Sequence, residues 1–146
     1  MKVLILCTGN SARSQMAEAL LRHLSDGAIE VHSAGTHPAE EVHPLARAAM
    51  RDGFGLDISD QYPKSLDRYV NDRFDYVITV CDHAAEVCPV FPGAPEQLHW
   101  STQDPSFAPG TPSERQQAFD RTDADLAERI RIWLQEANLH QGFVRE

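Results

Sequence analysis

Cysteine is scarce in this chain, positive charge is outnumbered by negative, and no apolar run approaches membrane-spanning length. Each shortage excludes something. Three cysteines, an odd number, with no stretch resembling an export signal, argue against a disulfide framework. They point instead to a reducing, cytoplasmic setting with reactive or metal-binding thiols. Lys and Arg number 13 against 22 Asp and Glu, so the net charge is −9. That sign is wrong for a general nucleic-acid binder or a protein of anionic membrane surfaces. Repeats, linkers and low-complexity tracts are also missing. The 146 residues therefore read as a single domain spanning 1–146, long enough to bury a real core, and acting as a monomer.

What is present is organised around Val3-Leu4-Ile5-Leu6-Cys7-Thr8-Gly9-Asn10-Ser11-Ala12-Arg13-Ser14-Gln15. An apolar run ends in a cysteine, small and polar residues follow, and an arginine comes six positions after the cysteine. The pattern predicts a buried strand, a tight loop and a helix start. Such a loop turns backbone N–H groups toward an oxyanion at a helix N-terminus, and Arg13 adds a planar fork of donors. An ordinary thiol is only about 3% thiolate at neutral pH, and the thiolate is the nucleophile. A helix N-terminus, Arg13 and the Ser14 hydroxyl all favour that form. The residues Thr8, Gly9, Asn10, Ser11, Ala12, Arg13 and Ser14 are thus candidates to bind an anion, with Cys7 at its floor.

Apolar residues at helical spacing predict helices over 15–24 and 44–52, and a long one opened by the capping box Thr111-Pro112-Ser113-Glu114. Short strands are predicted over 29–33, 74–80 and 98–100, with a weak extended segment at 56–59, a helical turn or two over 66–70, and a frayed tail from Leu139. Alternating strands and helices call for an α/β fold, a parallel sheet of about four strands with helices on both faces. Active sites in such sheets lie beyond the carboxyl ends of the strands. Cys7 and Cys81 both sit there, so they share one edge.

Cys81 and Cys88 are seven residues apart. On a helix that spacing spans roughly 10 Å, beyond the about 7 Å a disulfide allows between Cα atoms. If the segment is helical when reduced, joining the two must unwind it, and Pro89 keeps it short. A redox switch, a pair of buried structural thiols, and a zinc site of Cys81, His83 and Cys88 all fit this stretch. Asp104, before Pro105, is held extended and is poorly suited to cap a helix starting at the proline. It suits either an ordinary turn or a general acid over the anion loop.

These pieces together resemble the thioredoxin-coupled arsenate reductases, built on the low-molecular-weight protein tyrosine phosphatase fold. The stretch Cys7 to Glu18 is similar to that family's anion loop. The residues Val31-His32-Ser33-Ala34-Gly35 and Asp57-Ile58-Ser59 resemble its strand ends. The Cys81 to Cys88 spacing resembles its redox pair, and His99-Trp100 with Asp104-Pro105 its acid loop. The resemblance implies that Cys7 attacks arsenate, that Arg13 holds it and that Asp104 protonates the departing oxygen. Cys81 and then Cys88 resolve the intermediate, and thioredoxin, an external reductant, clears the final disulfide, with no bound cofactor.

Two departures stand out. Ala12 replaces a cysteine common in the family. Some members bind potassium through residues matching Asn10, Glu18 and Ser33 plus an acid near 62–65, where this chain has Lys64. We therefore expect no metal, with the Lys64 ammonium in place of the ion. Two other functions compete. A low-molecular-weight tyrosine phosphatase needs the loop and Asp104 but neither Cys81 nor Cys88. A thiol sensor for arsenite or zinc needs neither Arg13 nor Asp104.

Overall fold

A computed structural model of the chain describes residues 1–82, 91 and 96–140, the last three of these by backbone alone. Cys88, His83 and the tail 141–146 lie outside the described residues, and with them the question of a helix between the paired cysteines.

The apolar run forms β1 (Lys2–Cys7), and the loop after it leads into α1 (Arg13–Leu24). Then come β2 (Glu30–Gly35), α2 (Pro44–Phe54), a 3-10 helix at Leu66–Tyr69, β3 (Tyr76–Thr79), β4 (Glu96–His99) and α3 (Pro112–His140). The four strands are parallel in the order β2-β1-β3-β4. β1 is therefore interior and covered on both faces, which is why it is apolar without alternation. Val3 and Ile5 face a core built with Met16, Leu20, Met50, Phe119 and Ile130 of the three α-helices. Leu4 and Leu6 face a smaller cluster with Tyr69, Phe74 and Phe91, where the 3-10 helix lies. Helices thus flank both faces, unequally.

The capping box forms in both directions: the Glu114 carboxylate accepts from Thr111 N–H (3.0 Å) and the Thr111 hydroxyl from Glu114 N–H (3.1 Å). The expected extended segment at 56–59 is not a strand. Gly55 ends α2 with φ 66°, and Asp57 Oδ1 captures the Ser59 N–H at 2.9 Å, folding the chain into a turn. Ile58 is still buried in the main core.

Register sets the functional edge. Cys7 lies opposite Gly35 of β2, and Leu6 opposite Thr79 of β3. Cys81, two residues beyond β3, emerges on the same edge as Cys7, as the fold class predicts. No helix among the described residues is long and apolar enough to cross a membrane.

Candidate active site

The loop between β1 and α1 is shaped by what its carbonyls do. Those of Thr8, Gly9 and Ser11 accept from the N–H groups of His37 (2.9 Å), Ala39 (2.9 Å) and His43 (2.8 Å). The strap 37–43 thereby holds the outward side of the loop. Gly35 lets β2 approach closely: a Cβ there would stand 2.4 Å from the Thr8 carbonyl oxygen. α1 opens after Ala12, which has no side-chain oxygen to cap it, and no acid occupies its first turn. Its N-terminal amides and its positive dipole end suit an anion.

Asn10 is the keystone. It is fully buried with φ 49°, in the left-handed region that asparagine tolerates better than most residues. Its side-chain amide donates to Ser14 Oγ (2.7 Å) and Ser33 Oγ (3.0 Å). Its oxygen accepts from Gln15 Nε2 (3.1 Å) and the Lys64 backbone N–H (2.8 Å). Both donors and both acceptor positions are used.

Ser14 Oγ, which accepts from Asn10, also shares a hydrogen bond with Cys7 Sγ, 2.8 Å away. Asn10 N–H also donates to the sulfur at 3.2 Å. The Cys7 thiol is free and buried, with the Asn10 N–H and the Ser14 hydroxyl against its sulfur beside a helix N-terminus.

Arg13 is 3% exposed. Its guanidinium donates to the Thr102 carbonyl (3.0 Å) and lies 3.4 Å from Asp104 Oδ2. The expectation that Asp104 caps poorly is overturned. With ψ 111° it is extended as its proline neighbour requires, yet Oδ1 accepts from Ser106 N–H (2.9 Å) and Ser106 Oγ–H (2.7 Å), capping the short 3-10 helix Pro105–Phe107. An extended cap residue is the normal geometry, so the proline favours this role. One carboxylate oxygen is fixed by Ser106, and the other faces Arg13.

A second chain of contacts runs away from the loop. Ser33 Oγ–H donates to Glu18 Oε1, while Glu18 Oε2 accepts from Arg22 at 2.8 Å. Lys64 Nζ lies 3.8 Å from Glu18 Oε1 and donates to the Tyr62 carbonyl at 2.9 Å, both charged side chains being 9% exposed. Burial lowers the Lys64 pKa from its usual value, and the Glu18 charge opposes that shift. Lys64, Glu18, Ser33, Asn10, Ser14 and Cys7 form one connected series.

Cys81 is buried and disulfide-bonded. Among the described residues no three His, Cys, Asp or Glu side chains converge as a metal site. A cavity of about 1080 Å³ opens beside the loop, lined by Thr8, Gly9, Asp82, Asp104 and the exposed Phe107. Gln15, Gly35, Thr102 and Ser106 were not singled out as site residues from the sequence. Gln15 had a signal, since it is a polar residue beside the apolar stripe of α1; Gly35 and Thr102 act through backbone position, and Ser106 through both its N–H and its hydroxyl.

The model of the low molecular weight phosphotyrosine protein phosphatase family matches residues 2–141. The chain is 40% identical over 131 residues to the arsenate reductase of Halalkalibacterium halodurans, covering 90% of this chain and 93% of that one. A structure described as an arsenate reductase in the phosphate binding state superposes with TM-score 0.76 at 29% identity, covering 92% of this chain and 97% of that one. The thioredoxin-dependent arsenate reductase of Corynebacterium glutamicum gives TM-score 0.58 at 36% identity, over 90% of this chain and 62% of that one.

Proposed function

The chain belongs to the low molecular weight phosphotyrosine protein phosphatase family and groups with its arsenate reductases, and from that premise we propose that it reduces arsenate to arsenite. The observation that carries the reading is the buried Cys7 thiol, held by the Ser14 hydroxyl and the Asn10 N–H beside an uncapped helix N-terminus.

Arsenate sits on the loop amides of Thr8 to Ser14, its charge met by Arg13. Cys7 displaces one oxygen and forms a sulfur–arsenic(V) bond, while Asp104 supplies the proton with which that oxygen leaves as water. The Cys81 thiolate then attacks the Cys7 sulfur. The sulfur–arsenic bond breaks with its electron pair remaining on arsenic, which departs as arsenite, and a Cys7–Cys81 disulfide forms. Cys88 attacks Cys81, freeing Cys7, and the Cys81–Cys88 disulfide is reduced by the dithiol of thioredoxin. A free Cys7 with Cys81 in a disulfide is the thiol state that ends this sequence. The reading calls for no bound cofactor.

The decisive assay is arsenate-dependent NADPH oxidation with thioredoxin and thioredoxin reductase, beside Cys88→Ser. Sustained turnover in the parent and a stall near one turnover in the variant are expected. No turnover, with aryl-phosphate hydrolysis indifferent to Cys88→Ser, sinks the relay and leaves a phosphatase. The exposed Phe107 beside Asp104 and the roomy cavity favour a weak aryl-phosphatase side activity.

Lys64 stands in for a metal cation in this reading. Its buried ammonium sits against Glu18, which meets Asn10 through Ser33. Potassium should change neither KM for arsenate nor Tm in the wild type. Lys64→Met should lower Tm and raise KM, because it removes the ammonium from Glu18 and leaves that carboxylate to Arg22 and the Ser33 hydroxyl. A clear potassium dependence of the wild type is the contrary result.

A further inference from the structure

His43 joins the anion loop to the rest of the molecule through its backbone, its ring nitrogen and its ring face. Its backbone N–H donates to the Ser11 carbonyl inside the loop at 2.8 Å. Its side-chain Nδ1 accepts from Leu45 N–H at 3.1 Å, making it the N-cap of α2. Its carbonyl accepts from Ala46 N–H at 3.0 Å in the first turn of that helix. Its ring packs on Phe119 of α3, with centroids 4.6 Å apart.

N-caps are ordinarily Ser, Thr, Asp or Asn, whose oxygens accept at any physiological pH. A histidine accepts through Nδ1 only when that nitrogen carries no proton. Protonation turns Nδ1 into a donor facing the Leu45 donor, and sets a positive charge at the positive end of α2. Both effects push the ring off the helix, and the ring is on the residue that grips Ser11. We propose that His43 is a pH-sensitive anchor of the anion loop: neutral, it caps α2 and holds Ser11 in place; protonated, it loosens the loop's grip on a tetrahedral oxyanion.

The surroundings favour the gripping state at neutral pH. Burial and the Arg115 charge from α3 hold the His43 pKa below its usual value, against the opposing charges of Asp104 on the acid loop and Glu41 on the strap. The proposal rests on the loop being an oxyanion site and is independent of which oxyanion it serves.

Sulfate, a tetrahedral dianion whose charge is constant in this range, is the probe. Its Kd is measured by calorimetry on the wild type, His43→Asn and His43→Ala at about pH 7.5 and about pH 5.5. Asparagine keeps an accepting cap without titrating; alanine removes the cap. The ratio of wild-type Kd to His43→Asn Kd should rise on acidification, and a further measurement at about pH 4.5 extends the range further below the ordinary histidine pKa. His43→Ala should bind more weakly than His43→Asn at both pH values. A ratio flat with pH overturns the proposal, as does a His43 ring resonance titrating at or above the ordinary histidine range. If none of the three proteins binds sulfate, the oxyanion loop and its anchor fall together. Absent arsenate turnover with a rising ratio overturns the arsenate reading and supports the anchor.

Discussion

Ser14 links the Asn10 amide to the nucleophile: its hydroxyl accepts from Asn10 at 2.7 Å and shares a hydrogen bond with Cys7 Sγ at 2.8 Å. Ser14→Ala should lower kcat/KM for the oxyanion about tenfold, in keeping with the loss of one hydrogen bond to a charged group. Single-turnover measurement of the Cys7 step checks this, and an unchanged rate would show that the sulfur does not depend on the hydroxyl. Gly35 tests the scaffold in the same way. A methyl group at that position overlaps the Thr8 backbone, which must move. Gly35→Ala should therefore cost oxyanion affinity tenfold or more by calorimetry (about 1.4 kcal/mol or above), with the far-UV spectrum retained. Cys7, Arg13 and Ser14 were visible as residue types at a spacing. The demand on Gly35 was not, because it arises from a backbone arriving from another strand.

At the scale of elements, the packing of α3 against α2 contains an unpaid charge. Asp123 of α3 is 3% exposed, and among the described residues its Oδ2 has no hydrogen-bond partner. A Cβ on Gly53 of α2 would lie 3.4 Å from that oxygen. Burial, with the Asp120 charge adding to it, raises the Asp123 pKa from 3.8 to about 7, against the Ala124 backbone N–H that lowers it. The folded state thus holds this proton more tightly than the unfolded state does. Stability is unpenalised below the unfolded pKa, falls as pH rises through the folded one, and carries the full penalty above it. Asp123→Asn should stabilise the protein by about 2–4 kcal/mol at pH 8 and change little at pH 4. Thermal melts of the two proteins across that range read it directly, and equal melting temperatures at pH 8 would refute it. The helices themselves were legible from apolar spacing and from the Thr111–Glu114 box. The extended segment at 56–59 was misread because Asp57 closes a turn that hydrophobic pattern does not report.

For the molecule as a whole, a net charge of −9 surrounds a site built for an anion. The attraction is local, made by loop amides, a helix N-terminus and Arg13, while the long-range field repels. Salt screens the second far more than the first, since the Debye length is about 10 Å at 0.1 M and about 30 Å at 0.01 M. Raising the concentration of a weakly competing salt over that range should therefore raise kcat/KM for arsenate. A fall over the same range would mean that the field near the loop is attractive.

The chain alone determined the order of strands and helices, the run of Cys7 into an anion loop, and the placing of Cys7 and Cys81 on one sheet edge. Those features are carried by near neighbours in sequence: an apolar run, a glycine and hydroxyls at fixed offsets, and the rule that parallel strands expose their carboxyl ends together. Only the tertiary structure decided which groups complete the site. Asn10 closes its hydrogen bonds on residues 23 and 54 positions away, and Arg13 meets Asp104 91 positions on. The strap 37–43 and His43 hold the loop through backbone carbonyls, which every residue type presents alike. Such contacts depend on where strands lie beside one another, and no local pattern encodes that distance.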